Sequence, residues 1–267
     1  MKRYRPAQTQ QSYGEYFVNE FAMTLVAGTG VTFASSPLKI DSDSDFAILS
    51  STYTATNDRI KVKLKDGSLG RYLFQNSVDI KTVAGRNTLP MGLSNSFLPF
   101  PWTCPYRIAA GAELTLEASD ASAATNAFRL AFHGAKLHSG MPPWQGNFKQ
   151  IPFVYSFSGG PVTVAASSTS TARIEIDSEA AFLVQKITGI RSGSATVQIT
   201  EGGRDRSWSN IALDIDNLVG NGAFPNVLPA YRYVEKNTPI LFQLTDTSGI
   251  ANIIDICLIG VKLFPAN

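Results

Sequence analysis

The chain has 267 residues, of which 44% are hydrophobic and 16% are charged, and its formal net charge is +2 at pH 7. This apolar content is typical of a globular protein, and the length is sufficient for two hydrophobic cores. The near balance of 23 basic and 21 acidic residues argues against a general binder of polyanions. The low charged fraction suits broad contact with neighbouring proteins, because few surface charges need desolvation.

Residues 1–15 are predicted to form a basic N-terminal arm. Lys2, Arg3 and Arg5 precede a Gln-, Thr- and Ser-rich stretch without hydrophobic periodicity, a composition that buries too little surface to order itself. Such an arm either grips a neighbouring subunit, a lipid head group or nucleic acid, or is a loose tail. No signal-peptide core follows it, and no apolar run approaches the ~20 residues of a membrane span. We therefore expect synthesis in a cytoplasm.

Two halves of the chain repeat one pattern. FVNEF from Phe17 corresponds to FVYSF from Phe153. LKIDSDSDFAI from Leu38 corresponds to RIEIDSEAAFLV from Arg173. The halves also close alike, with DASAATNAFRLAFHGAKL from Asp120 and DTSGIANIIDICLIGVKL from Asp246. The offset between the halves is 136 residues at the first landmarks and 126 at the last. These ordered matches indicate an internal duplication, with a second copy about ten residues shorter.

The elements of both halves read as β-strands. Ile60–Leu64 alternates apolar residues with lysines, and the Asp66-Gly67 turn leads into Tyr72–Phe74, which predicts a hairpin. Further strand-like runs, rich in β-branched and aromatic residues, are 113–117, 127–132, 196–199, 239–244 and 253–259. The only candidate helical turn is 119–126. The sequence therefore predicts an all-β fold of two tandem antiparallel β-sandwiches of jelly-roll type, with an immunoglobulin-like sandwich as the alternative.

The predicted boundaries follow from the repeat. The first lobe covers 16–139, a linker 140–152 follows, and the second lobe covers 153–267. The linker region holds three prolines and two glycines, together with Met141, Trp144 and Phe148. A flexible spacer does not need large apolar side chains, so we expect the linker to pack against both lobes and fix their relative angle.

Asp41, Asp43 and Asp45 form the densest carboxylate cluster. Alternating aspartates are typical of calcium loops, which need hard oxygen ligands, but the glycine and the distant glutamate of an EF-hand are missing. The second copy keeps only Asp177 and Glu179. We favour a capped turn at the entry of a strand, with a calcium site as the weaker interpretation.

The remaining reactive residues are interpreted as structural. His133 corresponds to Ile259 in the second half, and spacing of five residues from His138 along a strand is poor for a shared metal. Cys104 and Cys257 are expected to be free thiols. The chain has no nucleophile elbow and no phosphate-binding glycine loop, so we predict neither an enzyme nor a cofactor. A glycosidase would require a carboxylate pair in a cleft, for which nothing in the sequence argues.

Several residues retained in both halves are interpreted as parts of the scaffold. Asp120, Ser122 and Asn126 recur as Asp246, Ser248 and Asn252, and such short polar side chains stabilise turns by bonding to nearby backbone. Glycine recurs at positions 134 and 260, within predicted strands, which indicates a bulge or a close approach of backbone.

The segment 97–106 is the most apolar of the predicted loops and corresponds to 223–231. It either closes the end of a sandwich or is partly exposed at a subunit interface. Its aromatic residues, the linker tryptophan and the basic arm supply the candidate assembly contacts, which are Phe100, Trp102, Tyr106, Trp144, Lys2, Arg3 and Arg5.

Two tandem sandwiches, a basic arm, no secretion signal and a length near 270 residues resemble the double jelly-roll coat proteins of icosahedral bacterial viruses. In that family two jelly rolls stand side by side, and trimers present six similar lobes that tile the shell. The chain is also similar to jelly-roll decoration or cement proteins of phage heads. Either resemblance implies a non-enzymatic virion protein whose partners are copies of itself and other capsid proteins. A vertex or neck protein, and a receptor- or carbohydrate-binding module of a fibre or tail, remain as alternatives.

Overall fold

The computed structural model describes residues 12–26, 31–33, 37–57, 59–74, 76–86, 99–122, 124–140, 142–143, 147–203, 206–221 and 224–265. Lys2, Arg3, Arg5, Met141 and Trp144 lie outside the described residues. The all-β prediction is confirmed, since strands make up most of the described chain.

The first half supplies strands β1 to β11 and one turn of 3-10 helix at Ile80–Thr82. The strands are β1 (Ser12–Leu25), β2 (Val31–Phe33), β3 (Leu38–Lys39), β4 (Asp45–Ala55), β5 (Ile60–Asp66), β6 (Arg71–Tyr72), β7 (Val78–Asp79), β8 (Gly85–Arg86), β9 (Phe100–Ile108), β10 (Glu113–Asp120) and β11 (Asn126–Ser139).

The second half supplies strands β12 to β21 and the short helix α1 at Ile215–Leu218. The strands are β12 (Phe148–Ser156), β13 (Val162–Val164), β14 (Thr169–Glu175), β15 (Ala181–Arg191), β16 (Ala195–Glu201), β17 (Arg206–Ser207), β18 (Leu213–Asp214), β19 (Asn226–Val234), β20 (Pro239–Asp246) and β21 (Asn252–Pro265).

Each half forms two sheets. In the first half, sheet A has the order β1-β11-β4, and both β8 and β9 pair with the far side of β4. Sheet B has β10 and β5 at its centre. The short strands β2 and β3 pair with β10, and β6 and β7 pair with β5. In the second half, sheet C has the order β12-β21-β15-β19, and the short strand β13 also pairs with β21. Sheet D has the order β14-β20-β16-β17, and the short strand β18 also pairs with β16. In both halves the first strand pairs with the last, as β1 with β11 and β12 with β21, and an early strand pairs with the penultimate one, as β2 with β10 and β14 with β20. Such pairing of early with late strands is typical of a jelly roll. The predicted fold class is therefore confirmed.

Each sandwich has its own hydrophobic core. In the first lobe, Ile60, Val62 and Leu64 of β5 face Phe46 and Phe128 across the sandwich, so the alternation in the sequence indicates the buried face correctly. The second core is built in the same way around buried residues of sheets C and D. It also includes Tyr16, Val18 and Ala131 of the first half, so the second lobe packs against the outward face of sheet A.

The retained turn residues make equivalent bonds in both lobes, which confirms their predicted structural role. The Asn126 side-chain oxygen accepts the backbone N–H groups of residues 56 and 57 at 2.9 and 3.2 Å. The Asn252 side-chain oxygen accepts those of residues 192 and 193 at 3.0 and 2.8 Å, which are 136 positions further along. In each turn the aspartate carboxylate accepts a bond from the serine two residues later.

The retained glycines mark close approaches between strands, as predicted. A Cβ atom on Gly134 would lie 2.0 Å from the Ala47 carbonyl oxygen, and one on Gly260 would lie 2.0 Å from the Leu183 carbonyl oxygen. The pairing of β11 with β4 also shifts register at Gly134. Neither site has room for a side chain, because the obstacle is the backbone of the neighbouring strand.

Some local expectations differ from the structure. The segment predicted as an apolar loop is the edge strand β9, which tolerates Pro101 and Pro105 because one side of an edge strand needs no ladder bonds. The described residues of 119–126 contain no helix, because the Asp120 side chain accepts the local N–H of Ser122 and Asn126 bonds to backbone of the distant residues 56 and 57. Strand β1 already begins within the predicted arm, and β12 begins within the predicted linker.

Replacing Gly134 or Gly260 by alanine is expected to destabilise the protein by about 2–4 kcal/mol, because two strands must separate to admit the methyl group. Gly159→Ala is the matched control, since nothing lies within 4 Å of its Cβ position. It should change the free energy of unfolding by less than about 0.5 kcal/mol. Urea denaturation of the three variants checks this, and equal effects at all three positions would contradict it.

Candidate assembly site

The two lobes are joined through the outward face of sheet A. The second lobe contributes β19, the segment 208–212 and α1 to this contact. The Val18 N–H donates to the Trp208 carbonyl at 3.0 Å, and the Asn210 N–H donates to the Val18 carbonyl at 3.2 Å. A short parallel bridge between β1 and the second lobe results, with Val18 opposite Ser209.

Glu20 is the centre of the polar part of this contact. Its carboxylate lies 2.6 Å from the Arg129 guanidinium and accepts a bond from the Asn217 side chain at 2.9 Å. Its backbone exchanges bonds of 2.8 and 3.2 Å with the Asn210 side chain. Burial raises the pKa of Glu20 to about 7, although Arg129 and Asn217 oppose that shift.

A second polar group lies at the other end of the contact, around Arg232. Its Nε atom donates to Glu201 at 2.7 Å, and its Nη1 atom donates to the Tyr16 carbonyl at 3.2 Å. Glu15 accepts a bond from Arg206 of the second lobe. Burial alone would raise the pKa of Glu15, but the His138 ring at 3.5 Å and the charges of Arg232 and Arg206 hold it below its usual value.

His133 is a buried member of the same contact. Its Nδ1 lies 2.9 Å from the Tyr16 hydroxyl, and its Nε2 lies 2.9 Å from the Thr52 hydroxyl. Burial lowers the pKa of His133 to about 4, so the ring is neutral at pH 7. Its role is to connect three strands of the contact face, in agreement with the structural interpretation of the sequence.

These polar partners are the part of the site that the sequence did not reveal. The sequence assigned the fixed angle between the lobes to the linker, whereas the described contacts come from β1, β11, β4 and the second lobe. The available signal was the presence of Glu15 and Glu20 in a strand whose other residues are mostly apolar. Charged residues in such a strand indicate buried partners, because unpaired buried charges are very costly.

The aspartate cluster is divided between two sets of partners. Asp41 and Asp43 lie 2.5 and 3.7 Å from the Lys136 ammonium. Asp45 instead accepts bonds from the Arg107 side chain and the Ala110 N–H at 2.7 and 2.9 Å. Over the residues that the structure describes, no group of three or more His, Cys, Asp or Glu side chains is arranged to hold a metal ion. The described partners of these carboxylates are therefore a lysine, an arginine and one backbone N–H group.

The second lobe has an equivalent cluster of one lysine and two carboxylates, which is here called the lysine cluster. Lys262 bonds to Asp177 and lies 3.3 Å from Glu179. The lysine ammonium groups lie 4.4 Å from the ring centre of Phe17 in the first lobe and 4.0 Å from that of Phe153 in the second. Residues retained by the duplication thus form an aromatic, lysine and carboxylate cluster beside the first strand of each lobe.

The predicted aromatic contacts differ in exposure. Trp102 is half-buried on the first core, where its indole N–H donates to Ser51 at 3.2 Å. The Tyr106 hydroxyl donates to Asp66 at 2.7 Å. Phe100 is exposed at the start of β9. All three lie along one edge of the first lobe, and Trp144 lies outside the described residues.

A groove of about 370 Å³ runs between the lobes beside these contacts. Its walls carry charges of both signs, supplied by Glu15, Asp41, Asp43, Lys136, Arg206 and Arg232. Most of these groups are already paired with each other, so the groove has no strong preference for one sign of ligand.

The thiol predicted at Cys257 and the absence of a membrane span can be compared with the described structure. Cys257 is a free, half-buried thiol, and burial raises its pKa. In the described part of the chain, no helix has the length and apolar character needed to span a membrane.

Comparisons with known proteins found similarity to solved structures but not to protein families or curated sequences. No protein-family model matches the sequence, and no curated protein matches it. The crystal structure of the major capsid protein P2 from bacteriophage PM2 is similar over 95% of this chain and 99% of that chain, with 12% sequence identity and a TM-score of 0.27. A likeness at that identity and TM-score carries no functional inference.

The raised pKa of Glu20 predicts a pH-dependent stability. A carboxyl group whose pKa is higher in the folded chain stabilises the fold fully below about pH 4.5, and this contribution is lost as the pH rises through 7. Glu20→Gln removes the titration. The free energy of unfolding of the Glu20→Gln variant, relative to that of the unmodified chain, is therefore expected to increase by about 1–3 kcal/mol between pH 4.5 and pH 8.

Urea denaturation at a series of pH values measures this difference. Glu175→Gln serves as the control, because Glu175 lies at the surface of the second lobe. Parallel stability curves for Glu20→Gln and the unmodified chain would contradict the assignment of Glu20.

Proposed function

We propose that this protein is a non-enzymatic structural protein of a bacteriophage particle, which builds or clamps an icosahedral capsid. The observation that carries the proposal is the buried contact between two jelly rolls of the same type. Hydrogen bonds and ion pairs across it, among them those of Arg232 with the Tyr16 carbonyl and of Arg206 with Glu15, require one relative orientation of the lobes. Each chain therefore presents two similar lobes as one rigid unit, which is what a shell built from nearly equivalent lobes needs.

The proposed partners are copies of the chain itself and other capsid proteins. Three chains would supply six lobes, and hence a pseudo-hexameric building block. The low charged fraction and the exposed apolar side chains of sheet C, which include Val154, Ile190 and Val227, are suited to contacts between proteins. The proposed location is the virion, after synthesis in the host cytoplasm, with the basic arm in contact with a neighbouring subunit, lipid or the genome.

The mass of the purified protein tests the proposal. Light scattering at tens of micromolar is expected to give trimers or larger closed assemblies, and electron microscopy should show rings or shells. Trimers that form no shell alone but bind preformed capsids would assign the clamping role rather than the shell-building role. A monomer that binds glycans would contradict the proposal and favour the carbohydrate-binding alternative.

Removal of residues 1–11 tests the arm. The deletion stops there because β1 begins at Ser12 and Glu15 is buried in the contact between the lobes. The truncated chain is expected to assemble more weakly while its melting temperature stays unchanged. Light scattering and calorimetry check both points, and unchanged assembly would exclude the arm as a link between subunits.

A further inference from the structure

The duplication provides a direct comparison between the two lobes. Because both lobes have the same strand order, each residue of the contact within the chain has a counterpart at the same place in the other lobe. On sheet A the contact face is covered by the second lobe. Its counterpart on sheet C is uncovered within the described chain. Val18 is 0% exposed, whereas its counterpart Val154 is 53% exposed.

The uncovered surface on sheet C is here called the open face. Tyr155, Ile256 and Leu258 point into the second core, so the residues that alternate with them point outward. The open face consists of counterparts of the covered residues on sheet A, which are exposed at Pro152, Val154 and Ser156 and half-buried at Asp255, Cys257 and Ile259. Thr188, the counterpart of Thr52, is buried beside Gly220 of its own lobe and is not part of this face.

The first lobe carries the matching uncovered surface. The second lobe docks with Trp208, Ser209, Asn217 and Arg232, all of which are buried. Their counterparts in the first lobe are Leu73, Phe74, Thr82 and Tyr106, which are half-buried or exposed and are here called the open flank.

The backbone of the open flank has the same local structure as the docked element. The Asp79 and Asp214 side chains each accept the N–H two residues later at 3.0 Å, and both residues have φ near −60°. Residue 85 pairs in parallel with β4 at Thr52, as residue 220 pairs with β15 at Thr188. The open flank is therefore shaped like the element that already fits a sheet of this type.

We infer that the open face of one copy binds the open flank of a second copy, so that the contact between chains repeats the contact within the chain. This inference rests on the proposed self-assembly and specifies its interface. The contact is head-to-tail, because each copy uses one surface of its first lobe and a different surface of its second lobe. A closed ring of three copies would place six lobes in nearly equivalent contacts.

The chemistry of the open face supports a protein partner. Glu20, Arg129 and His133 in the covered contact are replaced by Ser156, Asp255 and Ile259, so fewer charges need desolvation on binding. The Asp255 Oδ1 atom is buried and has no hydrogen-bond partner within the described chain. Arg129 donates to the Ala212 carbonyl in the covered contact, and the counterpart of Ala212 is Ser77, an exposed residue that can donate to Asp255.

Two substitutions on one face test the inference. Val154→Lys places an ammonium at the centre of the predicted contact and is expected to raise the subunit dissociation constant about 100-fold or more. Ile253→Lys is the matched control. Ile253 is 50% exposed on the same face, but its counterpart Ala127 is exposed within the chain, outside the covered contact.

The expected result is dissociation of Val154→Lys, measured by light scattering, with Ile253→Lys assembling like the unmodified chain. Both variants should keep the melting temperature. Assembly of Val154→Lys like the unmodified chain, or equal dissociation of both variants, would overturn the inference. A monomeric unmodified chain would instead reject the proposed self-assembly, so the two failures are distinguishable.

A crosslink tests the pairing of the two surfaces. Val18 and Ser209 are bridge partners within the chain, and their counterparts are Val154 and Phe74. Because Cys257 is itself a thiol on the open face, both crosslinking chains also carry Cys104→Ser and Cys257→Ser. Oxidation of a chain with Val154→Cys and Phe74→Cys is expected to give covalent dimers and longer chains on a non-reducing gel. A chain with Ile253→Cys and Phe74→Cys should give none. Assembled particles without the predicted crosslink, or with equal crosslinking of both pairs, would overturn the inference.

Discussion

The arrangement of the molecule depends on a buried polar contact between two apolar sandwiches. Desolvation of Glu20 and Arg129 is costly, and three contacts offset that cost: their mutual ion pair, the bond from Asn217 to Glu20 and the bond from Arg129 to the Ala212 carbonyl. An apolar contact alone would tolerate sliding, because the hydrophobic effect has no direction. The hydrogen bonds hold only in one register, so this contact fixes the angle between the lobes.

Comparison of the two copies distinguishes residues that every sandwich of this type requires from residues that depend on the position of the lobe in the chain. Both copies keep the glycines at 134 and 260, the Asn126-type turn and the lysine cluster beside the first strand, and these act within one sandwich. They differ on the outward sheet face, where Glu20 and His133 correspond to Ser156 and Ile259. A contact within a chain costs little translational freedom and can contain buried charges, whereas a contact between chains must also offset that loss. A less charged face therefore suits a contact between chains.

The sequence was sufficient for features that depend on neighbours along the chain. Alternation in 60–64 identified the buried face of β5, and the retained Asp, Ser and Asn residues identified the turns. It failed for β9, because Pro101 and Pro105 argue against a strand unless the edge position is known. The contact between the lobes was also missed, since Glu20 and Asn210 lie far apart in sequence and no local pattern pairs them.

A fixed angle within the chain has a consequence for assembly. If each lobe docks on the next through equivalent surfaces, the rotation set by the Glu20 contact is repeated at every step. The contact within the chain then determines whether successive copies close into a ring or continue as a filament. Burial also places the pKa of Glu20 near 7, so the element that sets this rotation is the one whose charge changes around neutral pH. In an assembly built in that way, the same buried carboxyl group would link the curvature to the protonation of this contact.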